Sequence, residues 1–355
     1  MEMTTGDARS DFPCLYGILG CLVLSTVYVG SLYVWRTPLS RVLLYFCTFT
    51  GFLGVRSNII ILRLAWELDC TVYNICFGAL FISSEFNAGQ NFNLMFPKYA
   101  MSNHPSVIKR RFISVLIMTL LSPLSLYFGI DEKFYQGATL WELLGLRWTG
   151  IIQAIVIPLC LTMVLFLGPL YMQGLNGLWR LYVEPTYWLD SMRNLVWWRN
   201  HVVAPLSEEW TFRACMLPLL LQCFRPTTAI FICPLFFGMA HFHHLLDNMK
   251  GGMDFKTALL RSCFQFSFTT IFGAYAAFLF AKTGHFVAPF MAHTFCNYMG
   301  FPDLSEVVAY EDPLKRAKIF SLFVIGLVAW CLLLTPMTNP TWFSNTLFWQ
   351  KHAIE

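Results

Sequence analysis

Charge is scarce in this sequence. Only 12% of its 355 residues are Asp, Glu, Lys or Arg, against about 25% in ordinary soluble domains. The deficit excludes a single globule presenting a conventional charged surface to water. No C-x-x-C pair occurs among the twelve cysteines, and most of them lie in or beside apolar runs. They read as small, reduced, buried residues rather than as a disulfide framework. There is no N-x-S/T acceptor with a permitted middle residue, so glycosylation supplies no clue to sidedness. Neither G-x-S-x-G nor H-E-x-x-H is present, which removes the spacing signals of an esterase-type serine elbow and of a zincin. Internal repeats and low-complexity tracts are also missing.

What the chain has instead is long uncharged stretches. Residues 12–35, 112–130, 148–179, 226–246, 262–281 and 319–350 contain no Asp, Glu, Lys or Arg. A helix crossing ~30 Å of hydrocarbon needs about 20 mostly apolar residues, so the reading is an all-α, polytopic integral membrane protein. A transmembrane β-barrel would alternate apolar and polar residues instead. The expected spans are 13–35, 112–130, 150–171, 202–222, 228–246, 260–281, 285–301 and 319–337, about eight helices around a polar catalytic cavity. The first is expected to be a retained anchor, since its leader carries Glu2, Asp7, Arg9 and Asp11 rather than a basic patch.

With the N-terminus outside, the cytosolic loops receive Lys109, Arg110 and Arg111, then Arg180, Arg193 and Arg199, then Lys250 and Lys256, then Lys315, Arg316 and Lys318. The opposite side receives Lys133, Arg147, Arg225, Lys282 and Lys351. That asymmetry follows the positive-inside rule. The organisation read from these patterns is 1–39 for the N-terminus and first helix, 40–103 for an atypical insertion, and 104–200 for the second and third helices. The last part of 104–200, residues 186–200, is an amphipathic stretch suited to the headgroup level. A catalytic membrane core follows at 201–301. Residues 302–355 hold a loop, the last helix and a tail. The 40–103 region breaks its apolar pieces with Arg56, Arg63, Glu67 and Asp69. From the residues alone it could add one or two spans; against the family resemblance given below it reads as a retained intron, a gene-model error or a lineage-specific insertion.

Ionisable groups inside spans cost at least about 2.5 kcal/mol for Asp, Lys or Arg at a helix centre, and three clusters accept that cost. In Glu208-Glu209-Trp210-Thr211-Phe212-Arg213, Glu209 and Arg213 are four apart and can pair. Glu208 is turned away by ~100°, which makes it a candidate general base. The plainer alternative is a cluster of charges at the start of a helix. In Phe237-Gly238-Met239-Ala240-His241-Phe242-His243-His244, His241 lies deepest, one turn after Phe237. His243 and His244 read as interface markers. In His293-Thr294-Phe295-Cys296-Asn297, His293 and Asn297 share a helical face. The alternative for them is an interhelical polar contact.

Together these groups suit hydrolysis without a covalent intermediate. Glu208, assisted by His241, takes a proton from water, and His293 and Asn297 hold the oxyanion. Zinc held by Glu208, His241 and His293 is the rival arrangement, with no resident cofactor as the first expectation. A non-enzymatic scaffold or transporter would use the same residues as an ion path.

The clusters resemble, in order, the E-E-x-x-x-R, F-x-x-x-H and H-x-x-x-N motifs of the CAAX-protease and bacteriocin-processing membrane family. The stretches HPSVIKRRF, APLSEEWTFRACMLP, PLFFGMAHFHH and FCNYMGFP are similar to its eukaryotic branch, the CAAX prenyl protease type II group. The resemblance covers 13–36 and 104 to about 337. It implies that Glu208 and His241 activate water and that His293 and Asn297 stabilise the oxyanion. Glu209, Arg213 and Phe237 are then supporting positions. It further implies removal of the last three residues from farnesylated or geranylgeranylated CAAX proteins, such as Ras-type and Rho-type GTPases and lamins. The implied setting is the endoplasmic reticulum membrane, with lipid as the surrounding partner, no nucleic acid, and a site open to the cytosol. A broader membrane protease with no prenyl requirement is the alternative.

Overall fold

The computed structural model describes residues 11–33, 103–131 and 137–349. The leader charges Glu2, Asp7 and Arg9, the insertion apart from Asn103, and Lys133 and Lys351 lie outside the described residues.

Every regular element among the described residues is helical. The α-helices are α1 (Asp11–Tyr33), α2 (Pro105–Leu121), α3 (Leu124–Gly129), α4 (Leu140–Leu143), α5 (Ile151–Leu165), α6 (Leu167–Leu175), α7 (Leu178–Val183), α8 (Pro185–Arg193) and α9 (Leu195–Trp198). Next come α10 (Ala204–Glu209), α11 (Met216–Leu221), α12 (Pro226–Ala240), α13 (His243–Lys250), α14 (Phe255–Thr283), α15 (Val287–Met299), α16 (Leu304–Val308) and α17 (Pro313–Met337). Local sequence explains several of the boundaries. Pro105 and Pro313 occupy first-turn positions, where a missing N–H costs nothing. Asp254 caps α14 by accepting from the Thr257 amide. Gly284 closes the same helix in the left-handed region, φ 66°, which a side chain would resist.

The protein is a multi-pass membrane protein. Five described segments are long and apolar enough to cross a membrane: Cys14–Tyr33, Pro105–Gly129, Pro226–Lys250, Phe255–Thr283 and Pro313–Met337. A sixth span results if α5 and α6, bent by 73° against each other, act as one. Pro169, three residues past the break at Phe166, lacks an N–H and its ring crowds the carbonyl four residues earlier. Length and apolarity among the described residues thus give five or six spans, which does not confirm the expected count of eight. The span expected at 285–301 contains α15, whose 13 residues reach only ~20 Å. The span expected at 202–222 lies within a helical rod that carries Arg199, Glu208, Glu209 and Arg213. The amphipathic stretch at 186–200 also differs from one continuous helix. It breaks at Asn194, whose side chain accepts from the Val196 amide and so starts α9.

The rod from Leu195 to Leu221 is the centre of the structure. Its α-helical pieces α9, α10 and α11 are joined by two π-helical turns, Arg199–Val203 and Trp210–Cys215. Phe212, Ala214, Cys215, Met216, Leu217, Leu219, Leu220 and Leu221 are almost wholly buried. They pack with residues of α1 and α12 in one apolar core. Because protein rather than lipid surrounds it, the rod can hold charge. Behind it, α12 and α14 make the most extensive helix pair of the fold, and small residues permit their close approach. A Cβ on Gly238 would collide with Thr270 Oγ1, and one on Gly273 would come 2.8 Å from Pro234 Cβ.

Gly238→Leu is expected to lower stability by at least about 1–3 kcal/mol through overpacking of this crossing. Thermal unfolding of the detergent-purified protein measures it, and an unchanged melting temperature would show that the two helices separate freely.

Candidate active site

Helical spacing places Glu209 over Arg213, and the structure pairs them. Arg213 Nη1 donates to Glu209 Oε1 at 3.1 Å, with both side chains fully buried. The guanidinium carbon also lies 4.4 Å from the centre of the Phe237 ring on α12, a cation–π contact. Phe237 in turn meets His241 edge-on at 4.7 Å. One cation thus ties the E-E-x-x-x-R cluster to the F-x-x-x-H cluster.

The third cluster joins through the same carboxylate. His293 Nδ1 lies 2.6 Å from Glu209 Oε1, and with Glu209 ionised the nitrogen is the donor. That bond sets the imidazole's orientation and directs its other nitrogen toward Glu208, with Nε2 3.7 Å from Glu208 Oε2. A carboxylate behind a histidine, fixing its tautomer, is the usual way of aiming such a ring. The Phe272 ring, 4.7 Å away and edge-on, packs against the same imidazole.

Glu208 and Glu209, adjacent in sequence, therefore do different things. Glu209 is locked between Arg213 and His293. Glu208 opens into a cavity of about 520 Å³, whose lining also includes His241, Tyr28, Ser207, Arg111 and Arg199. That volume falls in the range of small-molecule sites. His241 ends α12, and its Nδ1 donates back to the Phe237 carbonyl at 2.8 Å. This leaves Nε2 as the nitrogen that can accept a proton. No hydrogen bond joins Glu208 to His241 among the described residues. They face one space without touching.

Asn297 shares a helix with His293, as expected, but its amide is engaged elsewhere. Its Nδ2 donates to the Asn200 carbonyl at 2.8 Å, and the nearby Thr294 hydroxyl donates to the His201 carbonyl at 3.0 Å. Both acceptors lie in the first π turn, whose widened hydrogen-bond pattern leaves carbonyls without their normal helical partners. Helix α15 is thereby stitched to the rod. One amide hydrogen of Asn297 remains beyond this bond.

Several lining residues escaped sequence reasoning. His243 and His244 read as interface markers, yet both line the cavity, with ring centres 4.0 Å apart. Tyr28 comes from α1, and its hydroxyl lies 3.0 Å from Ser207 Oγ. Arg111 comes from α2 and Arg199 from the first π turn. No local pattern links these positions, since four separate elements supply them. Ser207 also donates to the Ala204 carbonyl at 3.1 Å, and no histidine stands against it in the manner of an activated nucleophile. The nine described cysteines are all free. Glu208, His241 and His293, the residues considered for zinc, do not converge as a metal-ligating group among the described residues.

Comparison with known proteins bears on this site directly. The family described as "Type II CAAX prenyl endopeptidase Rce1-like" matches residues 190–299, the stretch that contains all three clusters. CAAX prenyl protease 2 of Homo sapiens is 36% identical over 341 residues, covering 94% of this chain and 84% of the relative. The Rattus norvegicus protein of the same name is 32% identical, covering 94% and 83%. That of Arabidopsis thaliana is 35% identical, covering 69% and 83%. The chain belongs to the type II CAAX prenyl endopeptidase family. It is accordingly a membrane protease. No solved structure matches it.

Two family positions make opposite predictions for stability. Glu209→Ala strands a buried guanidinium and is expected to cost about 3–5 kcal/mol. Glu208→Gln leaves the ion pair intact and is expected to shift stability by less than about 1 kcal/mol. Melting temperatures of the two variants beside the parent protein decide it, and equal shifts would show that Glu209 is no brace.

Proposed function

We propose that this endopeptidase removes the last three residues of prenylated CAAX proteins by water that Glu208 and His241 activate together. One observation carries the reading. These two side chains face a common cavity without bonding to each other, while their sequence neighbours are locked behind them. A water seated between them loses its proton to Glu208, and the resulting hydroxide attacks the carbonyl of the prenyl-cysteine. His241 Nε2 holds the water by accepting a hydrogen bond from it, and Glu208 passes the proton it has taken to the departing amine. No acyl-enzyme forms.

His293 and Asn297 complete the reaction as oxyanion donors. This role uses His293 with both nitrogens protonated, Nδ1–H on Glu209 and Nε2–H toward the substrate. It also uses the amide hydrogen that Asn297 does not spend on Asn200. Substrates on this reading are farnesylated or geranylgeranylated chains, including Ras-type and Rho-type GTPases and lamins. The setting is the endoplasmic reticulum membrane, with the cavity open to the cytosol, consistent with the basic residues at the starts of α2 and α14. The apolar part of the cavity lining, Val29, Leu32, Phe112 and Val115, suits a ligand with an isoprenoid arm.

The test is cleavage of a farnesylated CAAX peptide by membranes carrying this chain. Release of the tripeptide is expected from the parent protein. Glu208→Ala is expected to reduce it by about 10²–10⁴-fold, the usual contribution of general acid–base catalysis. An unlipidated twin peptide distinguishes a broader protease, which would cut both equally. Loss on chelation with recovery on zinc addition would convert Glu208, His241 and His293 into ligands. Unchanged cleavage by Glu208→Ala would overturn the mechanism.

A further inference from the structure

Two of the free cysteines meet where α1 crosses the end of the rod. Cys14 opens the apolar span of α1, and Cys223 sits in the turn that follows α11. Their side chains are hydrogen-bonded to each other. Close backbone approach builds the contact. A Cβ on Gly17 of α1 would lie 3.0 Å from the Leu219 carbonyl oxygen and 3.7 Å from Cys223 Sγ. Cys14 precedes Gly17 by one turn and so shares its helical face. The turn that carries Cys223 is fixed as well. The Cys223 amide donates to the Leu220 carbonyl at 3.0 Å. The neighbouring Gln222 side chain donates to the Gly129 carbonyl at 2.8 Å and accepts from the Asp131 amide at 3.2 Å. The deeper thiols are engaged differently. Cys21 Sγ donates to the Met216 carbonyl at 3.8 Å and Cys233 Sγ to the Phe212 carbonyl at 2.9 Å, and both are fully buried. Cys14 and Cys223 are only half-buried, which leaves them within reach of an oxidant.

Tyr28 lines the cavity from α1, ~21 Å further along that helix than Cys14. Glu208 lines it from the rod, roughly the same distance before Cys223. The thiols and the cavity thus occupy opposite ends of two packed elements. With the cavity open to the cytosol, the thiols stand at the lumenal boundary, where disulfides form and persist. We infer that Cys14 and Cys223 form a disulfide there, fastening the start of α1 to the end of the rod. The inference rests on the proposed setting and sidedness and on nothing in the hydrolytic mechanism. The oxidant is a disulfide-bearing thiol reagent of the lumen, of the glutathione or dithiol-oxidoreductase class. One cysteine attacks the reagent's disulfide as its thiolate and releases the first reagent thiol. The other cysteine then displaces the second from the mixed disulfide. Two protein thiols become one S–S bond, and their two protons and two electrons leave with the reagent as its two thiols. The bond acts on position: with α1 held at Cys14, the Tyr28 hydroxyl at its other end keeps its place 3.0 Å from Ser207 Oγ.

The experiment maps the bond in the full chain. Membranes of the endoplasmic reticulum carrying the protein are opened in N-ethylmaleimide, digested without reductant and read by mass spectrometry. The expected result is a Cys14 peptide joined to a Cys223 peptide in most molecules. Cys14→Ser is expected to leave Cys223 alkylated, and Cys21→Ser is expected to leave the bond in place. Reduction of the purified parent protein is expected to lower its melting temperature by about 4–10 °C, with no such effect in the double variant Cys14→Ser, Cys223→Ser. Alkylation of both thiols in the parent protein overturns the inference, as does a peptide joining Cys223 to Cys21. An unchanged melting temperature on reduction overturns the fastening role. Oxidised glutathione added to opened membranes then locates the fault. A bond that forms only under that treatment overturns the proposed sidedness, whereas no bond even then overturns the contact itself. CAAX cleavage is not read in any arm, so a failure of the Glu208 and His241 mechanism leaves the result intact.

Discussion

The buried pair of Glu209 and Arg213 is the contact on which the other site geometry depends. Both side chains are inaccessible, and the bond between them is 3.1 Å. Desolvating two charges costs several kcal/mol per ion, and their mutual attraction repays that only with further hydrogen bonds and good geometry. Here the repayment is spread across three helices. His293 of α15 donates to the same carboxylate oxygen, and Phe237 of α12 covers the guanidinium. Removing either ion leaves its partner uncompensated, so the rod, α12 and α15 are held in one mutual arrangement. A stability-neutral interaction can in this way be a strong positional one.

Close packing enforces the arrangement from the other side. Gly273 of α14 stands so near the ion pair that a Cβ there would approach Arg213 Nη2 to 2.9 Å. The guanidinium therefore has helix backbone on one face and an aromatic ring on another. It cannot swing toward the cavity, and of the two adjacent glutamates it is Glu208 that lines it. The division of labour between two adjacent glutamates is thus steric as well as electrostatic.

Much of this was legible in the sequence, and the limits are physical. Spacing of four residues predicted the Glu209–Arg213 pair, because it is a contact within one helical segment. The all-helical membrane architecture followed from the uncharged runs. Contacts between helices left no such trace. Nothing local predicts that His293 bonds to Glu209, 84 residues away, or that Arg111 of α2 shares a wall with His244. The π turns were equally hidden, since a widened turn changes hydropathy little. They matter nonetheless, because they redirect side chains that regular α-helical geometry would place elsewhere, and the first one exposes the carbonyls that Thr294 and Asn297 satisfy. The count of eight spans is left unconfirmed for a related reason. A threshold based on apolar length assumes that lipid surrounds each helix, and the charged rod is surrounded by protein.

Burying a charged rod among apolar helices also explains how water chemistry can take place in a chain so poor in charge. Each surrounding helix supplies mostly hydrocarbon to the outside and one or two polar groups to the inside: Tyr28 from α1, Arg111 from α2, His241 at the end of α12, His293 from α15. None of these helices needs more than a few polar residues, so the segments built on α1, α2 and α12 keep the apolar length that a bilayer demands. The polar groups become a site only after packing. On the proposed reading, a carboxylate and a histidine on separate elements then hold a water between them, with no hydrogen bond from one to the other among the described residues. Had Glu208 bonded directly to His241, the pair would have been a second structural brace like Glu209 and Arg213, with no group left to take a proton. The unfinished contact in the cavity is what the finished one behind it makes possible.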